Sequence, residues 1–390
     1  MLDAIGVIDV APHLFRHRSN ADQPGASQEE VLASVRDVIA TEGELDFGLR
    51  NGVAADVAHM CSEALCEVVG VVAPLPQRFP FERPLAGSRF LEDLSFVRVR
   101  LGRSGAARKK ARVLEEARKQ LLLSLMFRTH QRIQIVADTA QALTDLFEAD
   151  KLSVAAPISV ARTSLETGLL LDKSLSGGVP GERFARTAAA DLWEYEQSHK
   201  ASLVLWDTEG AEKPDGPWEK ATMTPEKVEE AYAAARKTAT DAGFRADDAK
   251  KRKFAGKPAP AGVMVENTIA PIEPGTTELA KAATPVLHGT PSSRVSLLWA
   301  LCSGATHGAL WLAGSELHRS ATTREFAGAE VMTATEACMT GAILTARAVE
   351  RYFGLDPVAT AELQRIMRRN RIRTGPRIVQ AYPAWLRTFI

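Results

Sequence analysis

Charge of one sign is missing from this 390-residue chain: Lys plus Arg and Asp plus Glu number 48 each, so no global field draws it onto nucleic acid or anionic lipid, and any such contact must be local. Cysteine is scarce. The four, Cys61, Cys66, Cys302 and Cys338, include no C-x-x-C pair of the kind that zinc ribbons and thioredoxin-like sites need. On a helix the step from Cys61 to Cys66 points the two thiols at different faces. No uninterrupted apolar run reaches the roughly 18 residues of a membrane span. Residues 1–20 also lack a basic region followed by an apolar run, so neither a membrane partner nor a signal peptide is expected. The cytoplasm, with reduced thiols, is the expected location.

Recognisable catalytic motifs are absent too. There is no Gly-rich loop ending in Gly-Lys-Ser/Thr, no His-Glu-x-x-His, no Gly-x-Ser-x-Gly and no calcium loop, and His17, His59, His130 and His318 are scattered. No metal and no cofactor are therefore expected.

What the chain has in abundance is helix. Ser27 and Glu30 cap a short first helix carrying Val31, Leu32, Val35 and Ile39, and a second is expected over residues 54–71, ending at a Pro-rich loop, residues 73–84. Residues 108–150 contain neither Gly nor Pro and read as one helix of about 40 residues or two with a small kink. Pro157 starts a helix to about Lys173; the turn Gly177-Gly178-Val179-Pro180-Gly181 then makes a helical hairpin with a helix ending near Trp206. Thr224-Pro225-Glu226 begins another helix, and residues 242–292 read as a Pro-rich excursion: a functional flap, a mobile insertion, or a segment partly ordered as short strands around residues 263–269. Helices follow at roughly 293–316, 323–353 and 357–371. The fold class is all-α: an N-terminal helical region (1–104), a multi-helix bundle (105–355) containing the irregular insertion, and a basic C-terminal helix and tail (356–390).

Four residues of the helix from Ser293 recur at intervals of four: Trp299, Ser303, His307 and Trp311. A hydroxyl one turn before an imidazole orients the ring or shares its proton, and flanking tryptophans exclude water; the same stripe also reads as a packed core face. Arg162 and Glu166 stand one turn apart on the apolar helix after Pro157, as a structural ion pair, while Arg183 and Arg186 begin the facing helix and make candidate phosphate holders, with Glu166 shared between the helices. Basic runs at residues 108–112, 250–253 and 365–377 are either solvated faces or local anion contacts. The third, with Arg368, Arg369, Arg371 and Arg373 too close in sequence to share one helix face, is expected to send some of its arginines to solvent or to a partner chain.

Arg162-x-x-Leu165-Glu166, Glu182-Arg183-x-x-Arg186 and Leu301-x-Ser303-x-x-x-His307-Gly308, in this order, resemble a group of uncharacterised actinobacterial helical proteins that is similar in turn to the HEPN superfamily of helical bundles. The resemblance spans about residues 110–350. It implies a dimeric, metal-independent ribonuclease or a nucleotide-binding effector of a toxin or phage-defence system. On that reading His307, Ser303 and Arg162 are catalytic and Arg183 and Arg186 hold the phosphate. The family's Arg, four to six residues before its His, has no counterpart here: those positions include Cys302 and Ser303, and the nearest upstream arginine is Arg294. The other class is a non-catalytic interaction or assembly protein, a homo-oligomer or the partner of another protein, in which the same residues form a buried polar network. That class is preferred because the family-defining Arg is missing.

Overall fold

The computed structural model describes residues 53–79, 85–100, 104–149, 155–206, 223–247, 252–283, 286, 293–306 and 323–381, and among these the chain is an all-α bundle of ten helices with five short strands. The helices are α1 (Val53–Val72), α2 (Arg89–Val97), α3 (Gly105–Glu148), α4 (Ala155–Ser176), α5 (Pro180–Trp206), α6 (Pro225–Asp241), α7 (Thr276–Ala282), α8 (Ser293–Thr306), α9 (Thr323–Phe353) and α10 (Val358–Ala381). α3 is a single helix of 44 residues, begun by the Ser104 hydroxyl, which accepts from the Ala107 amide. The short helix expected from Ser27, and the segments at 207–222 and 307–322, lie outside the described residues.

α9 is the axis of the bundle. From Val331 to Glu350 its residues are buried on every side except at Thr333 and Arg347, as suits a helix enclosed by others. α4, α1, α10, α3 and α8 all pack on it, and the pairing with α4 is the most extensive in the molecule. That pairing is close because glycine meets glycine. A Cβ on Gly341 would stand 2.3 Å from the Ser164 carbonyl oxygen, and one on Gly168 would stand 2.4 Å from the Gly341 carbonyl oxygen. Ala161, Ala337 and Cys338 keep the rest of the contact thin, and the Ser164 hydroxyl donates to the Cys338 carbonyl at 3.0 Å.

One hydrophobic cluster runs from Val57 to Met367, so the boundaries drawn at 104 and 355 do not divide separate cores. α1 belongs fully to it: Cys61, Leu65 and Val68 are inside while Cys66 faces out. Residues 55–78 are long and apolar enough to cross a membrane by composition, with half of that stretch buried in the protein.

α10 closes the bundle antiparallel to α1 through charge. Arg369 pairs with Glu67, Arg373 with Glu63 at 2.8 Å and Arg377 with Asp56, while Arg371 reaches Glu336 of α9 at 2.6 Å. Positions 369, 373 and 377 share a face because they step by four residues; Arg368 faces solvent. The helix runs ten residues beyond the end expected near 371, through Pro376, because this ladder holds it against α1. Between α9 and α10 the chain reverses at Gly354, whose φ of +70° suits glycine, and the buried Glu350 carboxylate caps α10 by accepting from the Ala359 amide at 2.7 Å and the Thr360 amide at 3.2 Å.

Of the three alternatives for the Pro-rich insertion, its described residues take the one with short strands. β1 (Arg245–Asp247), β4 (Gly262–Val265) and β5 (Thr268–Pro271) form an antiparallel sheet in the order β1-β4-β5, with Val263 opposite Ala246 and Ala270. β2 (Arg252–Phe254) and β3 (Lys257–Ala259) form a separate hairpin. Phe254 stacks on Tyr232 at 4.0 Å and approaches His199 at 4.8 Å, pinning the hairpin to α6 and α5, while β4 and β5 lie on α5. The loop after β5 thereby comes to rest over the α4–α5 hairpin.

Gly341→Ala is expected to destabilise the protein by about 2–3 kcal/mol or more, because the added methyl meets backbone that has no room to retreat. Gly70→Ala, on the exposed face of α1 with open space around it, is expected to be neutral or to stabilise by about 0.5–1 kcal/mol. Thermal unfolding of the two variants checks the contrast.

Candidate functional site

The α4–α5 hairpin gathers the charged residues singled out in the sequence. Pro180 sits in the first turn of α5, and Gly177 is required by close approach: a Cβ there would lie 2.9 Å from Cγ of Arg183 and 3.1 Å from Nη1 of Arg186. A helix leaves its last carbonyls unpaired, and at the end of α4 arginines satisfy them: Arg186 Nη1 donates to the Lys173 carbonyl at 2.7 Å. Arg132 Nη1 joins one turn earlier, donating to the Leu170 carbonyl at 3.3 Å and to the Ser174 hydroxyl at 2.9 Å. Arg89 donates to the Leu175 carbonyl at 3.1 Å and Arg183 to the Gly177 carbonyl at 2.6 Å. Four cations from α2, α3 and α5 thus converge on one helix C-terminus, where the dipole favours positive charge.

Arg183, a phosphate holder on the nuclease reading and a member of a buried polar network on the other, lies in such a network and not in an anion site. Its side chain is fully buried, with Nε 3.1 Å from both oxygens of Asp93, Nη2 2.8 Å from Asp93 Oδ1 and 3.0 Å from Glu92. The Tyr352 hydroxyl donates to Asp93 Oδ2 at 2.7 Å and completes a network joining α2, α5 and α9. Burial by itself would lower the Arg183 guanidinium, but the bonds and charge of Asp93 outweigh it and hold it above its ordinary value, so it stays charged. With its donors directed at carboxylates and carbonyls, Arg183 has nothing to offer an incoming anion.

Arg162 and Glu166 do form the expected pair, at 3.6 Å on adjacent turns of α4. Glu166 is not shared with Arg186, whose carboxylate neighbour is Glu182 at 3.6 Å. The Arg162 guanidinium lies 4.9 Å over the ring of Trp299, which is buried and donates through Nε1 to the Thr277 hydroxyl. This face of the Trp299 stripe is packing against α4, one turn before the half-buried Ser303. His307 and Trp311 lie outside the described residues.

A cleft of about 450 Å³ opens between α3, α4, α5 and the loop after β5. Arg128, Arg132, Lys173 and Arg186 line it with Glu166, Glu194, Glu273 and the half-buried Trp193. Arg128 is clasped by Asp191 and Glu194 and ties α3 to α5. Of the sequence-derived candidates, this cleft brings together Glu166 and Arg186. It excludes Arg162, Arg183 and Ser303 from its lining.

Asp93, Tyr352, Arg132 and Lys173 were not anticipated. Asp93 had a legible signal: Ser88 caps α2, its hydroxyl accepting from Leu91, and Phe90, Leu94 and Val97 follow at helical spacing toward the core. Arg132 and Lys173 had none, since each is one cation among many on a polar helix face.

The remaining chemistry is quiet. Burial pushes the thiols of Cys302 and Cys338 up to about 12 and that of Cys61 to about 11, so all three stay protonated and pack as small apolar groups. Among the described residues no three His, Cys, Asp or Glu side chains are grouped to hold a metal ion. No family model, curated protein or solved structure matches the chain.

Asp93→Ala leaves the Arg183 charge buried without its main partner and is expected to cost about 3–5 kcal/mol. Tyr352→Phe, which removes one hydrogen bond and no charge, is expected to cost about 1 kcal/mol. Denaturant unfolding of the two variants tests the ranking; equal, small losses would mean the network carries no buried charge.

Proposed function

We propose that this chain is a non-catalytic interaction or assembly protein of the cytoplasm, working through binding and pairing with a second copy of itself. The arrangement of the candidate arginines carries the reading. Catalysis requires acid, base and anion holder to meet at one point, whereas Arg183 is sealed against Asp93 and Arg162 lies over Trp299. Leu123 and Phe127, one turn apart on the outer face of α3, are 59% and 63% exposed and supply the apolar patch on which two copies would meet.

The second reading is the metal-independent ribonuclease or nucleotide-binding effector. It rests on Arg162, which is brought against α8 one turn before Ser303, on the stripe that continues in the sequence to His307.

One preparation tests both. The purified chain is incubated with RNA in EDTA alongside His307→Ala and Arg162→Ala, each first confirmed as folded, and no cleavage by any of the three is expected. Cleavage by the wild type that both variants lose would replace the interaction reading with the nuclease. Light scattering is expected to give twice the chain mass, reduced to the single-chain mass by Phe127→Glu; a monomeric wild type would remove self-pairing.

A further inference from the structure

The four cations at the end of α4 exceed what one helix terminus needs, since a terminus carries only about half a charge. Asp93 takes Arg183, and Asp191 and Glu194 take Arg128. Arg186 has Glu182 beside it at 3.6 Å, with Nε free of hydrogen bonds among the described residues. Arg132 and Lys173 have no carboxylate within ion-pair distance among those residues, and the Lys173 ammonium makes no hydrogen bond to them. These three cations come from three helices and all line the 450 Å³ cleft. A volume of that size holds a small organic ligand. Lys173 and Arg186 also border a second cavity of about 210 Å³ against β4 and β5, so the cationic group lies between two recesses.

We infer that this cleft binds a small organic phosphate, with the phosphoryl group held by Arg132, Lys173 and Arg186 and an apolar body lying against Ile135, Leu170, Ile272 and Trp193.

Three features favour that class. The three cations match a compact dianion better than a single carboxylate, and guanidinium groups present paired donors to phosphoryl oxygens. The apolar lining and the half-buried indole give an organic body a surface that free phosphate would leave empty. Glu166, Glu194 and Glu273 stand around the same cleft and would repel the continuous charge of a nucleic-acid strand, which a compact ligand avoids. Charge supports the geometry. Burial and the nearby Arg128 hold the Arg132 guanidinium down to about 10; burial and Arg186 lower the Lys173 ammonium, and burial lowers Arg186 against the pull of Glu182. A bound dianion relieves all three. This inference goes beyond the interaction role and does not depend on a partner being found.

Titration calorimetry on the full chain with phenyl phosphate, inorganic phosphate and benzoate tests it. Saturable binding of phenyl phosphate is expected, at least roughly tenfold tighter than either inorganic phosphate or benzoate. Arg132→Gln and Lys173→Gln are each expected to weaken it by a similar factor, while Lys119→Gln, on an exposed surface of α3, leaves it unchanged. Arg132→Gln also removes the bonds to Leu170 and Ser174 of α4 and is compared by circular dichroism. Lys173→Gln breaks no bond in the fold and stands as the clean variant. No saturable binding of phenyl phosphate, benzoate binding as tightly, or full binding by folded Lys173→Gln would each overturn the assignment.

Discussion

The backbone contact between α4 and α9 at Gly168 and Gly341 sets the geometry on which the rest of the molecule is built. Two carbonyls lie where side chains would otherwise stand, so the helices approach more closely than packed leucines allow. Because α9 is enclosed along most of its length, every helix around it takes its position from that spacing. α1 and α10 close one side with a ladder of exposed ion pairs, each worth little alone. On the other side α4 extends past the contact and presents its C-terminus to α2, α3 and α5.

That terminus organises the polar half of the protein. Unpaired carbonyls at the end of α4 call for donors, and arginines from α2 and α5 supply them. Arg183 and Asp93 are buried together, an arrangement that adds little net stability over an apolar pair but strongly penalises any packing that separates them. The network therefore selects the docking of α2 against α5 and α9. Arg132, Lys173 and Arg186 are drawn to the same end, and the loop after β5 folds over them to make the cleft.

Much of the helical content was legible in residues. The Gly- and Pro-free run of α3, the first-turn prolines of α4 and α6 and the glycine turn at 177–178 all announce themselves, because capping and backbone preference act over a few residues. Even here local signals miss some points: Thr224 stands at the N-cap of α6 without a side-chain cap bond, and α10 continues through Pro376. α2 went unassigned, although Ser88 and the apolar spacing after it mark a helix, because it is only nine residues long and follows a Pro-rich stretch. Of the basic run at 365–377, whose arginines were read as directed to solvent or to a partner chain, Arg368 does face solvent, whereas Arg369, Arg373 and Arg377 meet Glu67, Glu63 and Asp56 of α1, which no local pattern announces.

By itself the sequence determined the all-α class, most helix positions and the Arg162–Glu166 pair, since each depends on residues no more than a few turns apart. Tertiary structure alone decided which arginines are buried and which face a cleft. Arg183 and Arg186 are three residues apart and chemically identical; one meets Asp93, ninety positions away, and the other borders an open recess. The desolvation that separates their roles arises from segments remote in the chain, and no pattern local to the hairpin encodes it.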